Sequence, residues 1–119
     1  MKHVLVVDDD RSVLDVIGRS LTGYRVTCAR DPDEALTVVG RVASFDLLIT
    51  DYLMPSMTGA ELIGRIRERQ PGLPVLILTA HTAILDQERP EWWISEAHLA
   101  KPVVLSELRD LVAKLIGPP

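Results

Sequence analysis

A short and mostly apolar run, Phe45 to Thr50, ends in the carboxylate of Asp51 and is followed by Tyr52-Leu53-Met54-Pro55. A run that is apolar at both odd and even positions predicts a strand buried on both faces, as in parallel sheets covered by helices. Ligands bind such sheets at the carboxyl ends of the strands. Asp51 is therefore a candidate functional group, although a strand ending in a turn-forming Asp explains this run more simply when it is taken alone.

Four other segments have strand character. His3–Val7 is rich in β-branched residues, Leu73–Thr79 is apolar throughout, and both segments predict further buried strands. Tyr24–Ala29 alternates and predicts a strand nearer a sheet edge, and Ala97–Ala100 predicts a short fifth strand.

Helical patterns separate these strands. Asp31-Pro32-Asp33-Glu34 and Thr58-Gly59-Ala60-Glu61 each carry a capping side chain and an acid three residues later, which begin a helix. The remaining helices are expected from Val13 to Leu21 with Gly23 at C′, over 83–89 ahead of Pro90, and from Ser106 or a neighbour onward.

A strand followed by a helix, five times over, predicts one doubly wound, five-stranded parallel α/β sheet of order 2-1-3-4-5, flavodoxin-like, with helices on both faces. The chain of 119 residues suits a single domain, expected over residues 1–117, with Gly117-Pro118-Pro119 as the end of the domain or the start of a linker. The switch point lies between the first and third strands, which end in Asp8-Asp9 and in Asp51.

Composition narrows the function classes. The single cysteine, Cys28, excludes an internal disulfide and suits a reducing cytoplasm. No apolar stretch approaches the ~20 residues of a membrane span. The net charge of −4, without a dense Lys/Arg cluster, argues against direct nucleic-acid binding.

Five side chains are expected at one sheet edge. Asp8, Asp9 and Asp51 would repel one another unless a hard divalent cation lay between them, and ligation by oxygen favours Mg²⁺. Thr79 and Lys101 follow the fourth and fifth strands and could bind phosphoryl oxygens during in-line transfer to a carboxylate. Each has a simpler explanation alone, since an Asp after a strand often caps a helix, Thr79 suits a strand end and Lys101 suits a solvated loop.

The ordered set resembles the receiver domain of two-component response regulators. The matching motifs are Val6-Val7-Asp8-Asp9, Asp51-Tyr52-Leu53-Met54-Pro55 with Gly59, Leu78-Thr79-Ala80 and Lys101-Pro102. The resemblance implies that Asp51 accepts a phosphoryl group from a histidine kinase or a histidine phosphotransfer domain. It implies that Asp9, Asp51 and the main-chain carbonyl of Leu53 ligate Mg²⁺ directly, with Asp8 acting mainly through water.

Further roles are implied by the same resemblance. Thr79 would be the switch hydroxyl, Lys101 would pair with the acyl phosphate, and the Lys101–Pro102 bond would be cis. The fourth helix, fifth strand and last helix would form the output or homodimer face. His98 stands where the family usually carries an inward-swinging Tyr or Phe. Apart from the resemblance, Leu53 and His81 stand two residues after Asp51 and Thr79, and we expect both to flank the approach of a hydrolytic water, although His81 is equally explained as a solvated loop residue.

The face just described departs from the family pattern, because Pro90 and the stretch Glu91-Trp92-Trp93-Ile94-Ser95-Glu96 replace more typical residues. The tryptophans either cap the core or form an exposed aromatic patch for a partner.

Three other functions fit the sequence less well than a signalling domain does. A phosphatase with an Asp nucleophile, like those of the haloacid-dehalogenase family, would carry a second Asp as acid/base two residues after the nucleophile, and Leu53 in that position cannot transfer protons. A flavodoxin-like cofactor binder needs a phosphate-cradling loop, where Asp8-Asp9-Asp10 would repel phosphate. A receiver-like domain that had lost phosphorylation would lack a site residue, and none is missing. We therefore expect a phosphoacceptor rather than an enzyme, with the receiver module of a hybrid histidine kinase as an alternative setting.

Overall fold

The computed structural model describes residues 1–42, 44–88 and 96–119. Its elements in chain order are β1 (His3–Val7), α1 (Arg11–Ser20), β2 (Arg25–Ala29), α2 (Pro32–Arg41), β3 (Leu47–Asp51), α3 (Gly59–Arg69), β4 (Val75–Thr79), α4 (Thr82–Glu88), β5 (Ala97–Ala100) and α5 (Leu105–Ile116). Pro90, Trp92 and Trp93 lie outside the described residues, and so does Arg89, the expected last residue of the fourth helix.

The five strands form one parallel sheet in the order β2-β1-β3-β4-β5, which confirms the predicted fold. The three central strands are almost wholly buried, whereas β2 and β5 are partly exposed at the two edges. The register pairs Val7 with Thr50 and Thr79 with Ala100. The residues that follow these strand ends therefore share one edge of the sheet.

Two hydrophobic clusters cover the two faces of the sheet, because successive strand side chains point in opposite directions. Leu5, Leu48 and Ile77 belong to the cluster that includes residues of α2 and α3. Val4 and Ile49 belong to the cluster that includes residues of α1 and α5. The runs that are apolar at every position are thus explained by burial on both sides.

The predicted helix starts are present. The Asp31 side chain accepts a hydrogen bond from the Glu34 N–H at the start of α2, and Thr58 accepts one from the Glu61 N–H at the start of α3. The last helix begins at Leu105, next to the expected Ser106. The prediction that Gly23 occupies C′ is wrong: α1 closes at Leu21, which is buried, and Gly23 adopts φ 90° in the turn two residues later.

The third and fourth strands are shorter at their starts than the apolar runs predict. β4 begins at Val75 because Pro74 has no N–H to donate to the ladder. β3 begins at Leu47. The preceding Asp46 still donates its main-chain N–H to the His3 carbonyl at 2.8 Å, and its carboxylate accepts a hydrogen bond from the His3 N–H at 2.7 Å. Among the helices of the described ranges, none has the length and apolar character needed to cross a lipid bilayer.

Candidate functional site

Asp8 directly follows β1 and is fully buried. Its Oδ1 accepts a hydrogen bond from the Asp10 N–H at 2.9 Å, and its Oδ2 accepts one from Lys101 Nζ at 2.8 Å. Because a buried charge is costly without a partner, the contact with Lys101 is what makes a buried Asp8 carboxylate tolerable here.

Asp10 is the member of the acidic triplet that caps α1, which the sequence left open. Its carboxylate accepts from the Ser12 N–H at 2.9 Å and from the Ser12 hydroxyl at 2.6 Å. These hydrogen bonds to the Ser12 side chain and backbone hold the pKa of Asp10 below its usual value. Asp10 is thereby committed to the helix start, while Asp8 and the exposed Asp9 remain for the site.

Asp51 ends β3 and is only partly exposed. Its Oδ1 accepts a hydrogen bond from the Tyr52 N–H at 2.8 Å, and its Oδ2 lies 3.3 Å from Lys101 Nζ. The loop that follows folds back on the strand end, because Leu53 pairs with Thr58 in an isolated bridge and the Gly59 N–H donates to the Tyr52 carbonyl at 2.7 Å.

Asp8, Asp9 and Asp51 form the predicted carboxylate cluster, with one oxygen from each lying within 4.8 Å of the others. Burial raises the pKa of Asp51, and the negative charge of Asp8 raises it further, although Lys101 partly offsets both effects. A set of hard carboxylate oxygens around a partly buried centre fits the ligand preference of Mg²⁺.

Lys101 follows β5 and contacts two of these acids through one ammonium group. Burial lowers its pKa, but the hydrogen bond to Asp8 and the charges of Asp51 and Asp8 outweigh this, so that the pKa is raised overall. Its main-chain N–H donates to the Thr79 carbonyl at 2.9 Å, and the Lys101–Pro102 peptide bond is cis, as predicted.

Thr79 ends β4 and is fully buried. Its Oγ1 accepts a hydrogen bond from the His81 N–H at 2.9 Å, so that the hydroxyl hydrogen can be donated to another acceptor. A buried hydroxyl of this kind is suited to binding an oxygen atom at this edge.

Four further predicted residues lie at the margins of the site. His81 has an exposed side chain and supplies its main-chain N–H to Thr79. His98 is exposed on β5, with Nδ1 3.3 Å from the Glu96 carbonyl oxygen. Leu53 is 47% exposed, and Pro102 is exposed beside Lys101. The structure does not bring the rings of His81 and His98 into the carboxylate cluster, and their roles stay predictions.

An apolar cleft beside Lys101 was missed by the sequence reasoning. It has a volume of about 200 Å³ and is lined by Ser12, Val13, Val16, Ile17, Lys101, Pro102 and Val103. Val16 is 46% exposed although it lies in a helix whose other large apolar side chains face the core. The sequence feature that indicates this exposure is the position of Val16 outside the helical stripe of Val13, Leu14, Ile17 and Leu21.

Comparisons with known proteins agree with this geometry. The family model of the response regulator receiver domain matches residues 4–113. The transcriptional regulatory protein GlrR of Escherichia coli is 42% identical over 103 residues, which are 85% of this chain and 23% of that protein. The response regulator MprA of Mycobacterium leprae is 36% identical over 116 residues, which are 96% of this chain and 50% of that protein. The chain thus spans between about a quarter and half of these relatives.

Solved structures of similar shape cover nearly the whole chain. The chemotaxis protein CheY4 of Vibrio cholerae has a TM-score of 0.85 at 30% identity, covering 97% of this chain and 98% of that one. The response regulator TrrA of Thermotoga maritima, solved in complex with Mg²⁺ and BeF, has a TM-score of 0.83 at 30% identity, covering 97% and 99%. This chain therefore belongs to the receiver domain family of two-component response regulators.

Proposed function

We propose that Asp51 accepts a phosphoryl group, in a Mg²⁺-dependent transfer, from a phosphohistidine of a histidine kinase or a histidine phosphotransfer domain. The observation that carries this proposal is the position of one lysine between two carboxylates, with Lys101 Nζ 2.8 Å from Asp8 and 3.3 Å from Asp51. A cation held beside a carboxylate nucleophile is placed to neutralise a phosphoryl oxygen as it arrives.

In the proposed transfer, a carboxylate oxygen of Asp51 forms the new bond to phosphorus while the phosphorus–nitrogen bond of the donor imidazole breaks. Asp9, Asp51 and the Leu53 carbonyl would hold Mg²⁺, with Asp8 acting through water, and the ion would supply positive charge for the phosphoryl oxygens. Lys101 would bind one of these oxygens, and Thr79 would donate its hydroxyl hydrogen to another.

The donor domain needs a surface next to Asp51 on which to bind. The cleft between α1 and the segment after β5 opens beside Lys101, and Val13, Val16 and Val103 give it an apolar lining. Val104 and Leu105 add exposed apolar side chains close by in the chain. We infer that an apolar helix face of the donor packs here and presents its histidine to Asp51.

Phosphorylation would reach the rest of the domain through Lys101. In the present structure its ammonium is shared between Asp8 and Asp51, and a phosphoryl group on Asp51 would compete for it. Because Lys101 directly follows β5 and lies four residues before α5, we expect the response on the face formed by α4, β5 and α5. A homodimer through this face and a cytoplasmic location stay predictions.

Two alternatives to this proposal remain: one places the domain in a different kind of protein, and the other gives it a different chemistry. A receiver within a hybrid histidine kinase has structural support from the receiver domain of CckA, which has a TM-score of 0.80 at 27% identity. A small phosphatase is disfavoured because Leu53 offers no acid/base where one is needed. Phosphorylation and dephosphorylation catalysed by the domain on itself are the only chemistry that we propose.

The direct test is labelling of the purified protein with acetyl phosphate, followed by intact-mass measurement. We expect one added phosphoryl group with Mg²⁺, none after chelation with EDTA, and none in Asp51→Asn. Asp33→Asn, which alters an exposed acid on α2, is the matched control and should be labelled like the wild type. Labelling that persists in Asp51→Asn would exclude Asp51 as the acceptor.

A further inference from the structure

One guanidinium group outside the site holds the starts of two strands that lead into it. Arg67, in the last turns of α3, forms a two-pronged ion pair with Glu96, in which Nη1 contacts Oε2 and Nη2 donates to Oε1 at 2.9 Å. The same group donates to the Leu73 carbonyl through Nε at 3.1 Å and Nη2 at 2.7 Å. The planar fork of arginine suits such paired contacts, which a lysine cannot reproduce.

The two acceptors lie at corresponding places in the fold. Leu73 stands two residues before β4, and Glu96 stands immediately before β5. These strands end at Thr79 and Ala100, and Lys101 follows at once. Arg67 therefore joins the amino ends of the two strands whose carboxyl ends deliver the hydroxyl and the ammonium of the site.

β5 has particular need of such an anchor. It is an edge strand of four residues, and within the described part of the chain its one partner strand is β4. A short edge strand has few ladder hydrogen bonds to resist sliding or fraying. Any displacement of β5 along its axis would move Lys101, since only Ala97–Ala100 separate Glu96 from it.

The burial of the ion pair favours this role over that of an ordinary surface contact. The side chain of Glu96 is 12% exposed and that of Arg67 is 32% exposed. Ion pairs that are largely shielded from water are screened less than surface pairs, which contribute little. The Arg67–Glu96 contact therefore constrains the start of β5 more strongly than a fully exposed ion pair would.

We propose that Arg67 is a positioning residue for phosphoryl binding, which fixes Lys101 through Glu96 and β5. This inference rests on the proposed function of Asp51. The simpler role, an ion pair that only stabilises the fold, predicts a lower melting temperature with an unchanged site. The affinity of the folded protein for a phosphoryl analogue distinguishes the positioning role from the purely stabilising one.

The test is a titration with beryllofluoride at saturating Mg²⁺, followed by the amide NMR shifts of the folded protein. Glu96→Gln keeps the side-chain shape and the Arg67–Leu73 contact but removes the charge, and we expect roughly two- to tenfold weaker binding. Arg67→Lys should weaken binding at least as much, because it also loses the fork toward Leu73. Arg65→Ala, an exposed arginine on the same helix, is the matched control and should bind like the wild type.

A double substitution tests whether Arg67 and Glu96 act on phosphoryl binding through Lys101. If Arg67 and Glu96 act through Lys101, Glu96→Gln should weaken binding no further in a Lys101→Ala background. Unchanged affinity in the single variants, or a full additional loss in the double variant, would overturn the positioning role. A wild-type protein that binds no beryllofluoride would instead refute the proposed function itself.

Discussion

Gly59 lies so close to Asp51 that a Cβ atom at Gly59 would come within 2.6 Å of the Asp51 carbonyl oxygen. The obstacle is backbone, so that no side-chain rotation could relieve the clash. The same approach lets the Gly59 N–H donate to the Tyr52 carbonyl at 2.7 Å. The absence of a side chain at Gly59 is therefore what allows α3 to start directly against the end of the Asp51 strand.

The first prediction concerns Gly59→Ala. We expect the free energy of unfolding to fall by about 1–3 kcal/mol, as for other overpacked sites, and beryllofluoride binding to weaken because Asp51 and Tyr52 must move. Urea unfolding and an NMR titration measure the two effects. Gly64→Ala on the same helix meets no atom within 4 Å and should instead stabilise the protein by about 0.5–1 kcal/mol. Equal effects of the two substitutions would refute the close-packing argument.

The second prediction is that Lys101→Ala changes the two site affinities in opposite directions. Removal of the ammonium leaves Asp8 and Asp51 uncompensated, so that the affinity for Mg²⁺ should rise. Beryllofluoride should bind more weakly, because an oxygen-like ligand loses its cation, and the amide shifts of α5 should respond less. Isothermal titration calorimetry would measure the two affinities, and NMR would measure the amide shifts of α5.

Lys101→Met separates charge from packing, since it keeps an unbranched side chain without the ammonium. It should reproduce both affinity changes of Lys101→Ala. Beryllofluoride binding and α5 shifts like those of the wild type in either variant would count against the role of Lys101.

The third prediction concerns the lifetime of the phosphorylated protein. Leu53, two residues after Asp51, is 47% exposed, and its side chain offers no hydrogen bond to a hydrolytic water. We expect the phosphoryl group to persist for minutes rather than seconds, and to be lost faster in Leu53→Asn. The measurement is the decay of phosphorylated protein after removal of the donor.

His81 provides the comparison for that experiment. Its ring could hold the water or block its path, and its main-chain N–H, which donates to Thr79, is retained in His81→Ala. We expect the Leu53 substitution to have the larger effect, because excluding water removes the nucleophile. A decay that is unchanged or slower in Leu53→Asn would show that Leu53 does not guard the site.

The fourth prediction is a loss of stability in mild acid that arises from His3. His3 is buried, with Nε2 2.6 Å from Thr27 Oγ1, and burial, followed by the charge of Arg25, lowers its pKa below 6.5. Because the folded pKa is the lower one, the unfolded chain takes up the proton first as pH falls. The free energy of unfolding should therefore decrease as pH falls from 6.5 toward the folded pKa.

Urea unfolding between pH 7.5 and pH 5 would measure this slope, and His3→Gln is the appropriate control. Glutamine keeps a polar group beside Thr27 and does not titrate, so the His3-dependent part of the slope should disappear. Identical slopes in the two proteins would assign the acid sensitivity to other groups.

Local patterns in the sequence predicted most of the fold. The apolar runs of β1, β3 and β4 predicted buried strands, and Asp31 and Thr58 predicted the starts of two helices. These features are local because a strand's burial is reflected in its own side chains and a cap acts within one turn. The alternation of strands and helices then leaves few ways to order the sheet, and the predicted order is correct.

The sequence also identified the acids and the lysine of the candidate site. Asp51 ends a strand, Asp8 and Lys101 directly follow strand ends, and in a parallel sheet strand ends meet at one edge. What the sequence left open was how the acidic triplet is divided, because Asp8, Asp9 and Asp10 are chemically alike. Their different surroundings decide it: Asp10 faces the Ser12 N–H, whereas Asp8 is buried against Lys101.

Only the tertiary structure decided which side chains are in direct contact. The sequence predicted that Asp8 and Lys101 share a sheet edge, but not that the Lys101 ammonium lies against both Asp8 and Asp51. Nothing in the sequence indicated that Arg67 and Glu96, which are 29 residues apart, form an ion pair. In the sequence, Arg67 cannot be told from any solvated arginine on a helix. The partial exposure of Val16 likewise depends on what packs around α1. Such contacts follow from the register of strands and the packing of helices, which depend on the whole chain at once, whereas capping and periodicity depend on a few neighbouring residues.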